Sequence, residues 1–134
     1  MLFLVCLCGG IVAQDMPYVP KEGGAERKAI MDALRKPVEA KLKQKVIFVI
    51  SNLKAQNGWA FLVGTPQQPD GKPIDYKITP YREAYEDGAF DNSLSALLRK
   101  QGDLWRVVAL DIGSTDVVWE DWDKRYKALS AIFK

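Results

Sequence analysis

The sequence predicts an α+β protein in which an N-terminal helix packs on a curved antiparallel sheet of about four strands, with a C-terminal helix after the sheet. Apolar residues recur at four-residue spacing near both ends of the chain, which is typical of amphipathic helices. Between these stretches lie two pairs of short apolar runs, each joined by a tight glycine-containing turn, which is typical of β-hairpins. An antiparallel sheet built from two hairpins leaves a face for helices to cover.

Residues 1–13 have the outline of a secretory signal peptide. The apolar run from Leu2 ends in small residues, and polar residues and a proline follow from Gln14 onward. This outline predicts cleavage after Ala13 and a periplasmic or secreted protein. The run is shorter than the roughly 20 apolar residues that a membrane span needs, so no transmembrane span is expected. No lysine or arginine precedes it, so a buried N-terminal strand or helix is the alternative.

Both cysteines of the chain, Cys6 and Cys8, lie within the expected signal peptide. The mature chain would therefore contain neither a disulfide nor a thiolate metal site. A lipid anchor on Cys8 is a less favoured alternative, because a lipidated cysteine normally follows a small residue and Leu7 stands there instead.

Residues 14–24 are rich in proline and glycine, which predicts an exposed leader. From about Ala25 to Lys43 apolar residues recur at four-residue spacing, which predicts a helix with one buried face. These residues are Ile30, Leu34, Val38 and Leu42. Pro37 falls within the pattern and is expected to kink this helix or to divide it. Residues 25–134 are expected to form a single domain, because domains of about 100–150 residues are the commonest.

Residues 46–53 are rich in β-branched side chains and predict a strand that is largely buried on both faces. Asn57-Gly58 is a strong signal for a hairpin turn, and residues 59–65 read as the returning strand. Trp59, Phe61 and Val63 would share one face of that strand. Residues 66–73 have the composition of a loop. Residues 74–91 fit either one or two helical turns or an irregular flap.

The second hairpin is predicted from residues 92–100, a tight turn at residues 101–103, and a clear strand over residues 104–112. A short helix over residues 92–100 is the alternative to a strand. A helix start is then expected at Gly113-Ser114-Thr115-Asp116, with Ser114 or Thr115 as its N-cap. Apolar residues follow at helical spacing, namely Val118, Trp122, Tyr126 and Leu129.

This order of elements resembles the cystatin-like and NTF2-like group, in which a long N-terminal helix packs into a strongly curved antiparallel sheet. Two segments also resemble a set of small exported bacterial proteins with no assigned activity. They are Asn57-Gly58-Trp59-Ala60-Phe61 with Thr65-Pro66, and a second segment from Leu97-Leu98-Arg99-Lys100 through Trp105-Arg106-Val107-Val108 to Gly113-Ser114-Thr115-Asp116-Val117. The resemblance implies a periplasmic or secreted bacterial protein and supplies no catalytic residues.

The composition excludes several kinds of chemistry. The chain contains no histidine, which removes the commonest general base, the commonest metal ligand and every histidine-activated nucleophile. Its net charge is only +2, with acids and bases interspersed, so no nucleic-acid partner is expected. No cofactor and no metal site are predicted.

Three groups of side chains are candidates for a site. Trp119 and Trp122 lie among carboxylates, and aromatic rings beside acids can bind sugars or cations, whereas the structural alternative is that both tryptophans anchor a helix to the sheet. Tyr76, Tyr81, Arg82 and Tyr85 belong to residue types that are enriched at interfaces, whereas the alternative is that the tyrosines cap the sheet.

Asp111 is the third candidate, because it ends an apolar strand between Leu110 and Ile112. A buried carboxylate there needs a partner, either Arg106, Lys100 or the amides of residues 113–115. That arrangement would make Asp111 a structural latch. The alternative is a catalytic acid with a raised pKa.

Two functions are compatible with these features. The favoured one is a non-catalytic binding or interaction module of the bacterial cell envelope, whose partner is an envelope protein or a small apolar ligand. The alternative is a small hydrolase or isomerase in which Asp111 acts with Tyr81 or Tyr85 inside a cone-shaped pocket. A homodimer formed through an exposed sheet face is compatible with both functions.

Overall fold

The computed structural model describes residues 16–134, and the expected signal peptide at residues 1–13 lies outside this range. The helices and strands are α1 (Ala25–Leu42), β1 (Ile47–Gln56), β2 (Trp59–Gln67), α2 (Arg82–Glu86), β3 (Leu94–Gln101), β4 (Leu104–Ile112) and α3 (Trp122–Tyr126). Two 3-10 helices lie at Tyr76–Ile78 and Ser130–Phe133. The predicted α+β class is confirmed, because α1 packs on a four-stranded antiparallel sheet that is followed by a short helix.

The sheet has the strand order β1-β2-β3-β4, and every neighbouring pair is antiparallel. Both predicted hairpins are confirmed. Asn57 and Gly58 have φ angles of 46° and 79°, and two successive positive φ angles are the mark of a type I′ turn. In the second hairpin, φ is positive (60°) at Gly102, the first of two turn residues, where type II′ turns place glycine. Residues 94–101 are a strand, so the helical alternative for this stretch is wrong.

One face of the sheet, called the helix side below, is covered by α1. The predicted apolar stripe is confirmed, because Ile30, Leu34, Val38 and Leu42 are all fully buried. They pack against side chains from all four strands, including Leu53, Ala60, Leu62, Ala96, Leu98 and Trp105. Pro37 lies within α1, which runs unbroken, so of the two expected effects, a kink or a division, the division is wrong. Burial of the stripe on both sides of Pro37 holds the two parts in one helix.

The opposite face, called the far side below, is covered by the C-terminal segment, residues 114–134. Trp59 and Phe61 lie on this face together with Val63, as predicted from their alternation. They pack against Trp122 and Ile132 from the C-terminal segment. The sheet therefore lies between two separate apolar cores.

The predicted start of the C-terminal helix is wrong. Residues 114–121 form bends and turns, and the helix begins only at Trp122 and ends at Tyr126. Ser114 does not cap a helix, because its hydroxyl donates a hydrogen bond to Asp111 in the preceding strand. The four-residue spacing of the apolar residues therefore reflects contacts with the sheet rather than a continuous helix.

β1 is more exposed than its composition predicts. Its first half alternates between exposed and half-buried residues, and Ile47 and Val49 are 38% and 51% exposed on the far side. The prediction of a strand buried on both faces is therefore wrong for this half. The leader, residues 14–24, pairs with the outer edge of β1 at one position. There Tyr18 and Ala55 exchange two backbone hydrogen bonds of 2.9 and 2.8 Å. No helix in residues 16–134 is long and apolar enough to cross a membrane.

Candidate functional site

The six candidate surface residues of the sequence analysis fall into two groups on opposite faces of the sheet. Tyr76 and Tyr81 pack with the helix-side core, and Tyr85 contacts the ring of Tyr76. Trp119 and Trp122 pack with the far-side core. The structure therefore does not bring the tyrosines and the tryptophans together into one site.

The insert between the hairpins, residues 68–93, is organised by a cluster of aromatic rings. The ring of Phe90 lies 4.4 Å from that of Tyr76 and 5.7 Å from that of Tyr81, centroid to centroid. Tyr76 is only 2% exposed, and its hydroxyl donates a hydrogen bond to Oδ1 of Asn92. The burial of Tyr76 therefore favours the structural alternative, in which this tyrosine caps the sheet, over a role at an interface.

Burial raises the pKa of the Tyr76 phenol above its ordinary value, and the neighbouring Tyr85 and Asp91 raise it further. Burial also raises the pKa of Tyr81, and the negative charge of Asp111 adds to that effect. Both phenols are therefore protonated at neutral pH, the form in which the Tyr76 hydroxyl donates its hydrogen bond to Asn92. Tyr85 is 45% exposed, so it keeps a surface that a partner can contact.

Arg82 is exposed, like Tyr85. Its Nε donates a hydrogen bond of 3.0 Å to Glu86 at the next turn of α2. An exposed pair of this kind contributes little to stability, so Arg82 is available to a partner at small cost.

The tryptophans of the C-terminal segment are anchors. The ring of Phe61 lies 5.5 Å from Trp119, 6.4 Å from Trp122 and 4.7 Å from Phe133. Trp122 is only 5% exposed and Trp119 is half-buried. These rings hold the segment on the sheet, which fits the structural alternative for Trp122.

Asp111 is held by the loop that follows its own strand. Its carboxylate accepts a hydrogen bond of 2.7 Å from the Ser114 hydroxyl and one of 3.3 Å from the Ser114 amide. Because Leu110 and Ile112 belong to the helix-side core, the side chain between them is directed to the far side. Asp111 thus ties the end of β4 to the start of the C-terminal segment.

A groove of about 690 Å³ lies between α1 and the start of β4. On the helix it is lined mainly by small residues spaced four apart, Ala29, Ala33 and Pro37. On the strand it is lined by residues 103–107. Leu104 is 71% exposed and stands at the rim, because its neighbour Trp105 packs with the helix-side core and the side chain of Leu104 is therefore directed to the far side. We call this feature the α1–β4 groove. It is an open cleft in which apolar residues alternate with the charged residues Asp32, Lys36, Asp103 and Arg106.

The strand that forms one wall of the groove is also an edge of the sheet. β4 is the last strand in the order β1-β2-β3-β4 of residues 16–134. Leu104 pairs with Gln101 across the two-residue turn, so its backbone groups bond to β3. Backbone direction alternates along an antiparallel strand, so the N–H and C=O groups of Trp105 and Val107 point to the open edge.

Charged side chains surround the groove. Asp32 accepts hydrogen bonds of 2.6 Å from Lys28 and 2.7 Å from Arg35, and these bonds lower the pKa of its carboxyl group. Lys36, Asp103 and Arg106 are exposed, and none of the ion pairs formed within residues 16–134 includes them. No group of three or more acidic, histidine or cysteine side chains in the same range could hold a metal ion.

Sequence reasoning missed this groove, although a signal for it exists. Ala29, Ala33 and Pro37 form a second row at four-residue spacing beside the apolar stripe of α1. Small residues in such a row leave space where larger ones would fill it. The second wall of the groove can be predicted only when β4 is known to be an edge strand, and this depends on the order of strands in the sheet.

The chain matches no family model, no curated protein and no solved structure. Its functional assignment therefore rests on the fold and on the chemistry of these surfaces.

Proposed function

We propose that the protein is a non-catalytic binding module of the bacterial cell envelope, and that its partner binds in the α1–β4 groove. The observation that carries the proposal is the groove itself. It places an exposed apolar side chain, Leu104, beside backbone groups that have no neighbouring strand among residues 16–134. An open strand edge next to a cleft is a common way of binding a protein segment.

The location in the envelope is supported by the sequence alone. Residues 1–13 have the outline of a signal peptide, and two segments resemble small exported bacterial proteins. The chain after residue 13 contains no cysteine, so an oxidising compartment would leave its covalent structure unchanged.

The alternative function, a hydrolase or isomerase that depends on Asp111 and a tyrosine, has weaker support. The charge of Asp111 raises the pKa of Tyr81, so the two groups lie within electrostatic reach of each other. However, both hydrogen bonds that Asp111 accepts come from Ser114, which favours a structural role for the carboxylate.

The proposal is tested by photo-crosslinking in the envelope of the producing cell. A photoreactive amino acid replaces Leu104 at the rim of the groove, or Val19 in the leader as a control that is similarly exposed (62%). We expect a discrete adduct from position 104 that position 19 does not give. The adduct should be lost when Ala33→Trp fills the groove in a chain that still melts cooperatively.

Two outcomes would refute the proposal. One is the same pattern of adducts from both positions, and the other is an adduct from position 104 that persists in the Ala33→Trp chain. An adduct with the mass of two chains would identify the partner as a second copy of this protein.

A further inference from the structure

We infer that the partner of the α1–β4 groove is an acidic, extended polypeptide segment that pairs with β4 as a fifth strand of the sheet. This inference rests on the proposed function and specifies the chemistry of the partner. It depends on two features of the same surface, the direction of the backbone groups of β4 and the sign of the unpaired charges around them.

The backbone of β4 provides the hydrogen-bonding template. Trp105 and Val107 direct their N–H and C=O groups to the open edge, within the part of β4 that lines the groove. An extended segment placed there satisfies these groups by the main-chain pairing that strand addition uses. Its side chains that face α1 then lie over Ala33 and Pro37, where small residues leave room for apolar groups.

The charges select an acidic segment. Asp32 is already bonded to Lys28 and Arg35, so it contributes no unpaired negative charge. The other charged residues along this edge are Lys36, Asp103 and Arg106, two cations against one acid. Arg106 lies between Trp105 and Val107 of the helix-side core, so its side chain is directed to the far side of β4, where it meets the outward-facing side chains of an added strand. An anionic partner therefore gains attraction and a faster encounter, whereas a cationic partner is repelled.

A second arginine increases the positive charge on this edge. Arg99 lies directly opposite Arg106 across β3 and β4, and both are exposed. Like charges at directly opposite positions destabilise a sheet. Arg99 is held by stacking, with its guanidinium carbon 4.6 Å from the centroid of the Trp59 ring. A carboxylate that binds Arg106 relieves this repulsion, since arginine pairs well with carboxylates.

The test measures the binding of fluorescent peptides by anisotropy at low ionic strength. The probe is a blocked peptide of alternating valine and glutamate, and its counterpart replaces glutamate with lysine. We expect the acidic peptide to bind at least about tenfold more tightly than the basic one, and to weaken as salt is added. Arg106→Gln should weaken its binding about tenfold, the effect of losing one charge-assisted hydrogen bond.

Two further variants sharpen the result. Arg125→Gln removes an exposed arginine of the C-terminal segment, which pairs with Asp121 away from the groove, and should leave the affinity unchanged. Asp103→Asn removes the acid at the groove and should strengthen binding about twofold, a change of opposite sign. All variants change exposed residues, so their melting temperatures should stay close to that of the parent chain.

Hydrogen–deuterium exchange tests the strand pairing separately. Saturating acidic peptide should slow exchange at the amides of Trp105 and Val107, which face the open edge. The amides of Leu104 and Arg106 already face β3 and should change less.

Four results would overturn the inference. They are equal binding of the two peptides, equal effects of Arg106→Gln and Arg125→Gln, peptide binding without protection of the edge amides, and binding to phosphatidylglycerol vesicles but to neither peptide. The proposed function fails independently of these results, since it fails when the groove position 104 gives no specific adduct. If that adduct forms and the acidic peptide does not bind, the groove remains the proposed binding site, and the inference that its partner is an acidic strand is wrong.

Discussion

The two faces of the sheet are covered in different ways. On the helix side, one helix of 18 residues places four fully buried side chains along the sheet. On the far side, a helix of five residues and a 3-10 helix pack on the sheet through aromatic rings that surround Phe61. The far-side cover is also partial, because Ile47 and Val49 at the start of β1 remain exposed.

The difference shows two ways of closing an apolar face. A long helix spreads its contacts over many regular positions, so no single contact decides whether it stays in place. A short irregular segment concentrates its contacts on a few large rings. We therefore expect the far side to open more locally, and to depend more on single residues, than the helix side.

The largest effect is expected from Phe61→Ala. Loss of this ring removes the partner of Trp119, Trp122 and Phe133, and should lower the free energy of unfolding by about 3–5 kcal/mol. Leu34→Ala on the helix side is the matched variant, with an expected loss of about 2–5 kcal/mol. Urea titrations give both losses. Hydrogen exchange should show that only Phe61→Ala exposes the C-terminal segment while α1 stays protected, and equal exposure in both variants would contradict the proposed difference.

Gly113→Ala acts where the chain passes from the helix side to the far side. The φ angle of Gly113 is +88°, and a Cβ atom there would lie 1.9 Å from the Phe90 ring. Left-handed strain and overpacking together should cost about 3 kcal/mol. Gly102→Ala is the control, because φ is also positive but nothing lies within 4 Å, so only about 1 kcal/mol is expected. Thermal melting of both variants separates the loss of stability caused by the clash with Phe90 from the loss caused by backbone strain.

Asp111→Asn should have a smaller effect on the same junction. The substitution replaces the charged acceptor of the two Ser114 hydrogen bonds, and a loss of about 1 kcal/mol is expected. Ser114→Ala should cost a similar amount. If the two residues form a latch, the double variant will lose less than the sum of the single losses. Full additivity in denaturant titrations would show that the pair is not coupled.

The smallest effect concerns stability in acid. The comparison is between one carboxylate on the helix that covers the helix side, Asp32, and one in the segment that covers the far side, Asp123. Bonds from Lys28 and Arg35 lower the pKa of Asp32, and bonds from Ser130 and the Lys124 amide lower that of Asp123. A folded pKa below the unfolded value of about 4 means that the stabilisation is present above that value. It is lost as the pH falls from about 4 through the folded pKa. Asp32→Asn and Asp123→Asn should each flatten the decline of the urea midpoint in this range, slightly because both groups are exposed.

Much of the fold follows from local sequence signals. The stripe of α1 obeys a helical period, and Asn57-Gly58 fits a turn that needs two positive φ angles. Such features depend on neighbours within a few residues, so they can be predicted without knowing the rest of the chain. The alternation of Trp59, Phe61 and Val63 belongs to the same class.

Local sequence patterns predict the wrong structure where tertiary contacts override local preference. The C-terminal segment has helical spacing, but its rings pack on Phe61 and Ser114 bonds to Asp111, so the helix starts only at Trp122. The exposure of Ile47 depends on how far that segment reaches across the sheet. Their residue types predict Tyr76 and Trp122 at a binding surface, but both side chains are buried. The α1–β4 groove was missed because it joins residues that are distant in sequence.

The bridge between Tyr18 and Ala55 determines where a tag, a fused domain or a sensor surface can be joined to the molecule. Lys54, the neighbour of Ala55 in β1, donates a hydrogen bond to the backbone carbonyl of Lys134. Both ends of residues 16–134 therefore meet the same strand, while the groove lies at the opposite edge, three strand spacings or roughly 14 Å away. A tag, a fused domain or a sensor surface joined at either end would leave the groove open, and a short linker could join the two ends into a circular permutant.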